Sequence, residues 1–99
     1  MRLTDTQINK IRELTRQVAG DKATVRVFGS RLDDTARGGD LDLFVELPES
    51  VSSPAQLAAN LAARVSRMMH GRKIDVVLYA PNLEQLPIHD IARREGVLL

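Results

Sequence analysis

The chain has no cysteine and no tryptophan, and its aromatic residues are two phenylalanines and one tyrosine. Without cysteine there is no disulfide scaffold, no thiol nucleophile and no Cys-based zinc site. Phe28, Phe44 and Tyr79 all fall in strand patterns, as core or sheet-face residues rather than a platform for stacking unpaired bases. No apolar run approaches the roughly 20 residues that span a bilayer. The opening Met1-Arg2-Leu3-Thr4-Asp5 has neither the apolar core nor the cleavage site of a signal peptide. An excess of one charge is missing too: 14 Lys and Arg stand against 13 Asp and Glu, a net +1. Such a balance provides no general field for nucleic acid or for an anionic membrane. A cytoplasmic location is therefore expected, with no direct nucleic-acid binding and no membrane association.

What is present suits a globular fold: 43% of the residues are hydrophobic and 27% charged. Ninety-nine residues are expected to form a single domain, 1–99, with one core. Thr4 and Gln7 have the spacing of a capping box, so a helix is predicted from about Asp5, with Ile8, Ile11, Leu14 and Val18 at helical spacing and Gly20 as its stop. The β-branched run Ala23 to Phe28 predicts a strand, and Gly38-Gly39 marks the polar loop after it. Asp40 to Glu46 alternates, with Leu41, Leu43 and Val45 on one face of a second strand. Ser52 or Ser53 before Pro54 predicts the cap of a second helix, with Leu57, Leu61, Val65 and Met68 as its buried stripe and Gly71 as its end. A third strand is predicted over Lys73 to Tyr79 and a short helix from Pro87 to about Glu95, before the apolar tail Gly96 to Leu99. The order αβ(turn)βαβα predicts an α/β (α+β) fold, a small mixed β-sheet flanked by helices.

Three acids fall in the strand patterns. Asp40 and Asp42 are two apart and leave the same face of one strand, within about 7 Å of each other. Asp75 sits among Ile74, Val76 and Val77, where a charge is costly unless compensated. Clustered carboxylates raise one another's pKa, and a hard divalent cation such as Mg²⁺ removes that penalty. Gly29-Ser30, at the end of the first strand, is suited to bring backbone N–H groups and a hydroxyl against an anion or phosphate. A phosphate cradle beside an acidic Mg²⁺ site is the pairing that nucleotidyl transfer needs. Taken singly, a Gly-Ser pair is common in turns, and Asp-x-Asp is more often a solvated strand end.

Phe28-Gly29-Ser30-Arg31, the polar stretch to Gly39, and Asp40-Leu41-Asp42-Leu43 together resemble the signature of the DNA polymerase β-like nucleotidyltransferase superfamily. The smallest members of that superfamily, the minimal nucleotidyltransferase (MNT) proteins, are the nearest resemblance, with Ile74-Asp75-Val76-Val77 similar to their third-carboxylate strand. The ending from Pro87 to Leu98 is similar to theirs as well. The resemblance implies that Gly29 and Ser30 hold the β- and γ-phosphates of ATP. It further implies that Asp40 and Asp42 ligate two Mg²⁺ ions, and that Asp75 ligates one of them and helps deprotonate the acceptor hydroxyl. Arg31 would reach the leaving pyrophosphate, or be a solvated turn residue. The same resemblance implies a HEPN-domain toxin, usually an RNase, as partner in a hetero-oligomer. This chain would be its antitoxin, adenylylating it or, alternatively, neutralising it by direct binding without catalysis. Transfer to a small molecule is a weaker third possibility, because no acceptor-holding lobe is apparent.

Other residues suggest less. Asp33 and Asp34 read as solvated loop acids, and His70 and His89 as surface histidines with no ligand-spaced partner. No EF-hand, Rossmann or Walker pattern is present. Phe28 to Glu46 holds five acids and two arginines, whereas Asn60 to Lys73 has no acid and contains Arg64, Arg67, Arg72 and Lys73. That basic stretch is either a solvated helix face or a surface where a partner docks.

Overall fold

The computed structural model describes residues 3–28 and 41–99. Helix α1 spans Asp5–Ala19. The predicted capping box forms: Gln7 N–H donates to Thr4 Oγ1 at 3.1 Å, and Thr4 N–H donates to Gln7 Oε1 at 2.9 Å. Strands β1 (Thr24–Phe28) and β2 (Leu41–Glu46) pair antiparallel. Helix α2 (Pro54–Met68) then returns the chain so that β3 (Ile74–Tyr79) pairs parallel with β2. Helix α3 spans Pro87–Glu95, and Val97–Leu98 forms a short strand β4, antiparallel to β1. The result is a mixed four-stranded sheet in the order β3-β2-β1-β4 with three helices, the α+β architecture expected from the sequence.

The two-residue period of the strands divides the core in two. Val25, Val27, Leu41, Leu43, Val45 and Ile74 face α1 and α2, where Ile11, Leu14, Leu61 and Val65 meet them. The opposite face carries Phe28, Phe44, Val77 and Tyr79 and is covered by α3 through Ala92. Burial of Thr15 within the first layer is compensated by its hydroxyl, which donates to the Ile11 carbonyl at 2.8 Å.

Three local outcomes differ from the sequence expectations. Ser53 is the N-cap of α2, but its hydroxyl makes no capping hydrogen bond; Pro54, whose missing N–H needs no partner, begins the helix. The tail after Gly96 is a strand rather than a loose apolar end. The third difference is at the close of α2, where the left-handed position falls on His70 (φ 60°), one residue before Gly71 (φ 86°). Gly71 N–H reaches the Ser66 carbonyl at 2.8 Å and His70 N–H the Arg67 carbonyl at 3.3 Å, the paired bonds of a Schellman ending. A non-glycine residue held left-handed is strained, so His70→Gly is expected to raise the unfolding free energy by about 1 kcal/mol. A denaturant titration with unchanged m-value checks this, and a loss of stability would contradict it.

Candidate active site

Asp42 and Asp75 are Cα partners in the parallel ladder between β2 and β3. Phe28, the last described residue of β1, is the antiparallel partner of Asp42. One row therefore crosses three strands as Phe28, Asp42, Asp75, with its side chains on the face that α3 covers. Neighbouring strands lie about 4.8 Å apart, so the two carboxyl-bearing side chains leave the sheet side by side. Both residues are half-buried. The alternation that sends Leu41 and Leu43 into the α1/α2 layer is what sends Asp42 the other way, and Ile74 and Val76 do the same for Asp75.

The remaining site residues expected from the sequence, Gly29, Ser30, Arg31 and Asp40, lie outside the described residues, as do Asp33 and Asp34. Among the described residues no group of three His, Cys, Asp or Glu side chains comes together as a metal cluster. What the described part contributes is a pair of carboxylates with no nitrogen or sulfur donor in the row. That all-oxygen donor set fits Mg²⁺ rather than zinc or copper. Asp42 and Asp75 are the described residues that would hold such an ion, which when bound neutralises phosphate charge and orients the reacting oxygens.

Behind the acids, the same face is held by a polar and aromatic cluster that the sequence did not reveal. Two rows along, Glu46 accepts from Arg26 Nη1 of β1 at 2.7 Å and from Arg93 Nε of α3 at 3.0 Å. Arg93 lies over Tyr79, 4.9 Å from the ring centroid, and 5.7 Å from that of Phe44. His89, expected from the sequence to lie on the surface, is instead buried, 3% exposed. Its ring packs 5.2 Å from Tyr79 and 5.7 Å from Phe44, between centroids. Its Nδ1 accepts the Leu86 N–H at 2.9 Å, capping the start of α3 from within. The signal available in the sequence was the spacing of His89 and Ala92, three apart on one helix face, but Ile88 and Ile91 compete for the same role and end up exposed. His70, by contrast, is exposed as expected.

Glu46 thus ties α3 to the sheet, with all three partners less than one-third exposed. Glu46→Ala would take the shared carboxylate from two half-buried guanidinium groups, leaving Arg93 only the exposed Asp90 at 3.4 Å, and is expected to cost about 2 kcal/mol. Chemical denaturation of this variant beside Arg26→Ala and Arg93→Ala checks it; a smaller loss for Glu46→Ala than for either arginine variant would show that the carboxylate is not the hub.

A cavity of about 440 Å³, lined in part by Ala19, Lys22, Leu47, Val51 and Leu57, lies at the opposite end of the sheet and shares no residue with the acid row. Its rim is braced by Asn82, whose side chain accepts from the Val51 N–H at 3.0 Å and donates to the Val51 carbonyl at 2.7 Å. No helix among the described residues is long and apolar enough to cross a membrane.

A small mixed α+β sheet with two acids in register on adjacent strands defines an architecture rather than a single activity. Residues 8–98 match the family model described as the nucleotidyltransferase domain, and the chain belongs to that family. A search of curated proteins found no match. Nucleotidyl transfer is the general activity that family membership supports.

Proposed function

We propose that this chain transfers AMP from ATP, in the presence of Mg²⁺, to a hydroxyl of a protein partner, and that the partner is a HEPN-type RNase toxin which it neutralises as an antitoxin. The in-register Asp42 and Asp75 pair carries this reading, together with membership of the nucleotidyltransferase domain family and the MNT-like motifs around Gly29, Ser30, Arg31 and Asp40. In the reaction the acceptor oxygen bonds to the α-phosphorus, the bond to the β-phosphate breaks, and pyrophosphate leaves. The hydroxyl proton passes to Asp75. Two Mg²⁺ ions would be shared among Asp40, Asp42 and Asp75.

Incubating the chain with α-labelled ATP, Mg²⁺ and a HEPN-type protein, followed by intact-mass analysis, tests this. Gain of one or more adenylyl groups by the partner is expected. A partner of unchanged mass, under conditions where an active relative modifies its own partner, overturns the catalytic reading. If Asp40→Asn with Asp42→Asn still neutralises the partner fully at equal expression, neutralisation is by direct binding instead.

A further inference from the structure

The parallel connection from β2 to β3 obliges α2 to run back across the sheet, so its C-terminal end lies at the same end as Asp42 and Asp75. That end is basic. Arg64, Arg67 and His70 are exposed and Arg72 half-buried, and no acid occurs between Asn60 and Lys73. The inner side of α2 is taken up by Leu61 and Val65, which leaves the arginines on the outer side. Arg64 is oriented by its Nε–H donating to Asn60 Oδ1 at 3.0 Å. One cation in the last turn is enough to complement a helix dipole, and Arg67 already fills that place. His70 is exposed, yet occupies a left-handed position that glycine would hold without strain.

We propose that this end of α2, formed by Arg64, Arg67, His70 and Arg72, docks an acidic surface of the polypeptide that accepts the nucleotide. The inference deepens the protein-acceptor reading above and rests on it. Charge complementarity selects the partner's chemistry: planar guanidinium groups pair with carboxylates through two parallel hydrogen bonds. A nucleic-acid strand is disfavoured because the patch contains no Phe, Tyr or Trp on which bases would stack, and the protein as a whole carries only +1. The acceptor would grip the α2 end and reach round the β3 edge of the sheet to present its hydroxyl to the acid row.

The test uses the full chain and two labelled polyanions, poly-L-glutamate and a single-stranded oligouridylate, in fluorescence anisotropy. Poly-L-glutamate is expected to bind more tightly than the RNA, with an affinity that falls as salt rises. Arg64→Gln with Arg67→Gln and Arg72→Gln is expected to weaken it about tenfold without changing ATP affinity. Single Arg67→Glu serves as a second variant should the triple one lose stability, which a thermal melt reports. Tighter binding of the RNA, lost in the same variants, would make this a nucleic-acid surface and overturn the proposal. Unchanged poly-L-glutamate binding in both variants would overturn it as well. In AMP labelling of a HEPN-type protein, failure of the parent chain removes the protein-acceptor reading; labelling by the parent and equally by the variants removes only the docking surface.

Discussion

Asp42→Asn and Asp75→Asn are each expected to lower nucleotidyl transfer by about 10³-fold or more, since under the proposed function each removes a negatively charged oxygen donor from the site that would hold the ion. For Asp75→Asn the protein is expected to be about as stable as its parent, because the side chain is half-buried and the amide is nearly isosteric with the carboxylate. Mg²⁺ is expected to separate the two. It should raise the melting temperature of the parent with increasing concentration, as any ligand of the native state does, and leave the variant unmoved. Thermal melts with and without Mg²⁺ therefore report on the ion independently of catalysis. Full transfer activity in either variant, or an equal Mg²⁺ response in parent and Asp75→Asn, would contradict the placement of the ion.

Phe44→Ala is expected to cost about 3–5 kcal/mol, the range for deleting a fully buried aromatic ring. Phe44 is 0% exposed at the centre of the smaller core, beneath His89 and Arg93 and beside Ala92. For a domain of this size that loss corresponds to a fall in melting temperature of roughly 12–40 °C. Phe44→Leu, which keeps most of the volume, is expected to lose much less. A cost for Phe44→Ala below about 1.5 kcal/mol would mean that α3 is held by the Glu46 and Arg93 contact alone rather than by packing.

Much of this arrangement can be read in the chain itself, and the reasons for the exceptions are physical. The Thr4 and Gln7 box, the alternation through Leu41, Leu43 and Val45, and Pro54 at a helix start are local features, and each element stands where those residues put it. The pairing of Asp42 with Asp75 is not local. The sequence places both acids on strands, but their side-by-side register depends on the parallel crossover through α2. Val97–Leu98 is too short to show a two-residue period and becomes a strand only because β1 has a free edge. His89 is buried against the expectation for a polar side chain because Leu86 supplies a hydrogen-bond donor and two aromatic rings supply the rest of its surroundings. Gly71 marks the end of α2 correctly, yet the strained position precedes it, which no glycine count reveals.

The last strand also orders events in time. β1 is completed on one side by β2, close in sequence, and on the other by Val97–Leu98, which must close a loop containing most of the chain. Loop-closure entropy makes such distant contacts late ones. The layer of α1 and α2 is thus expected to gain amide protection before α3 and β4 do, a sequence that pulsed hydrogen exchange during refolding measures. Simultaneous protection of the Arg26 and Val77 amides, which face β2, with those of α3 would contradict it. An unfinished molecule of this kind already has its larger hydrophobic core while the face bearing Phe44, Tyr79 and the two acids is still open to water, so the protein passes through a half-covered sheet before α3 closes over it.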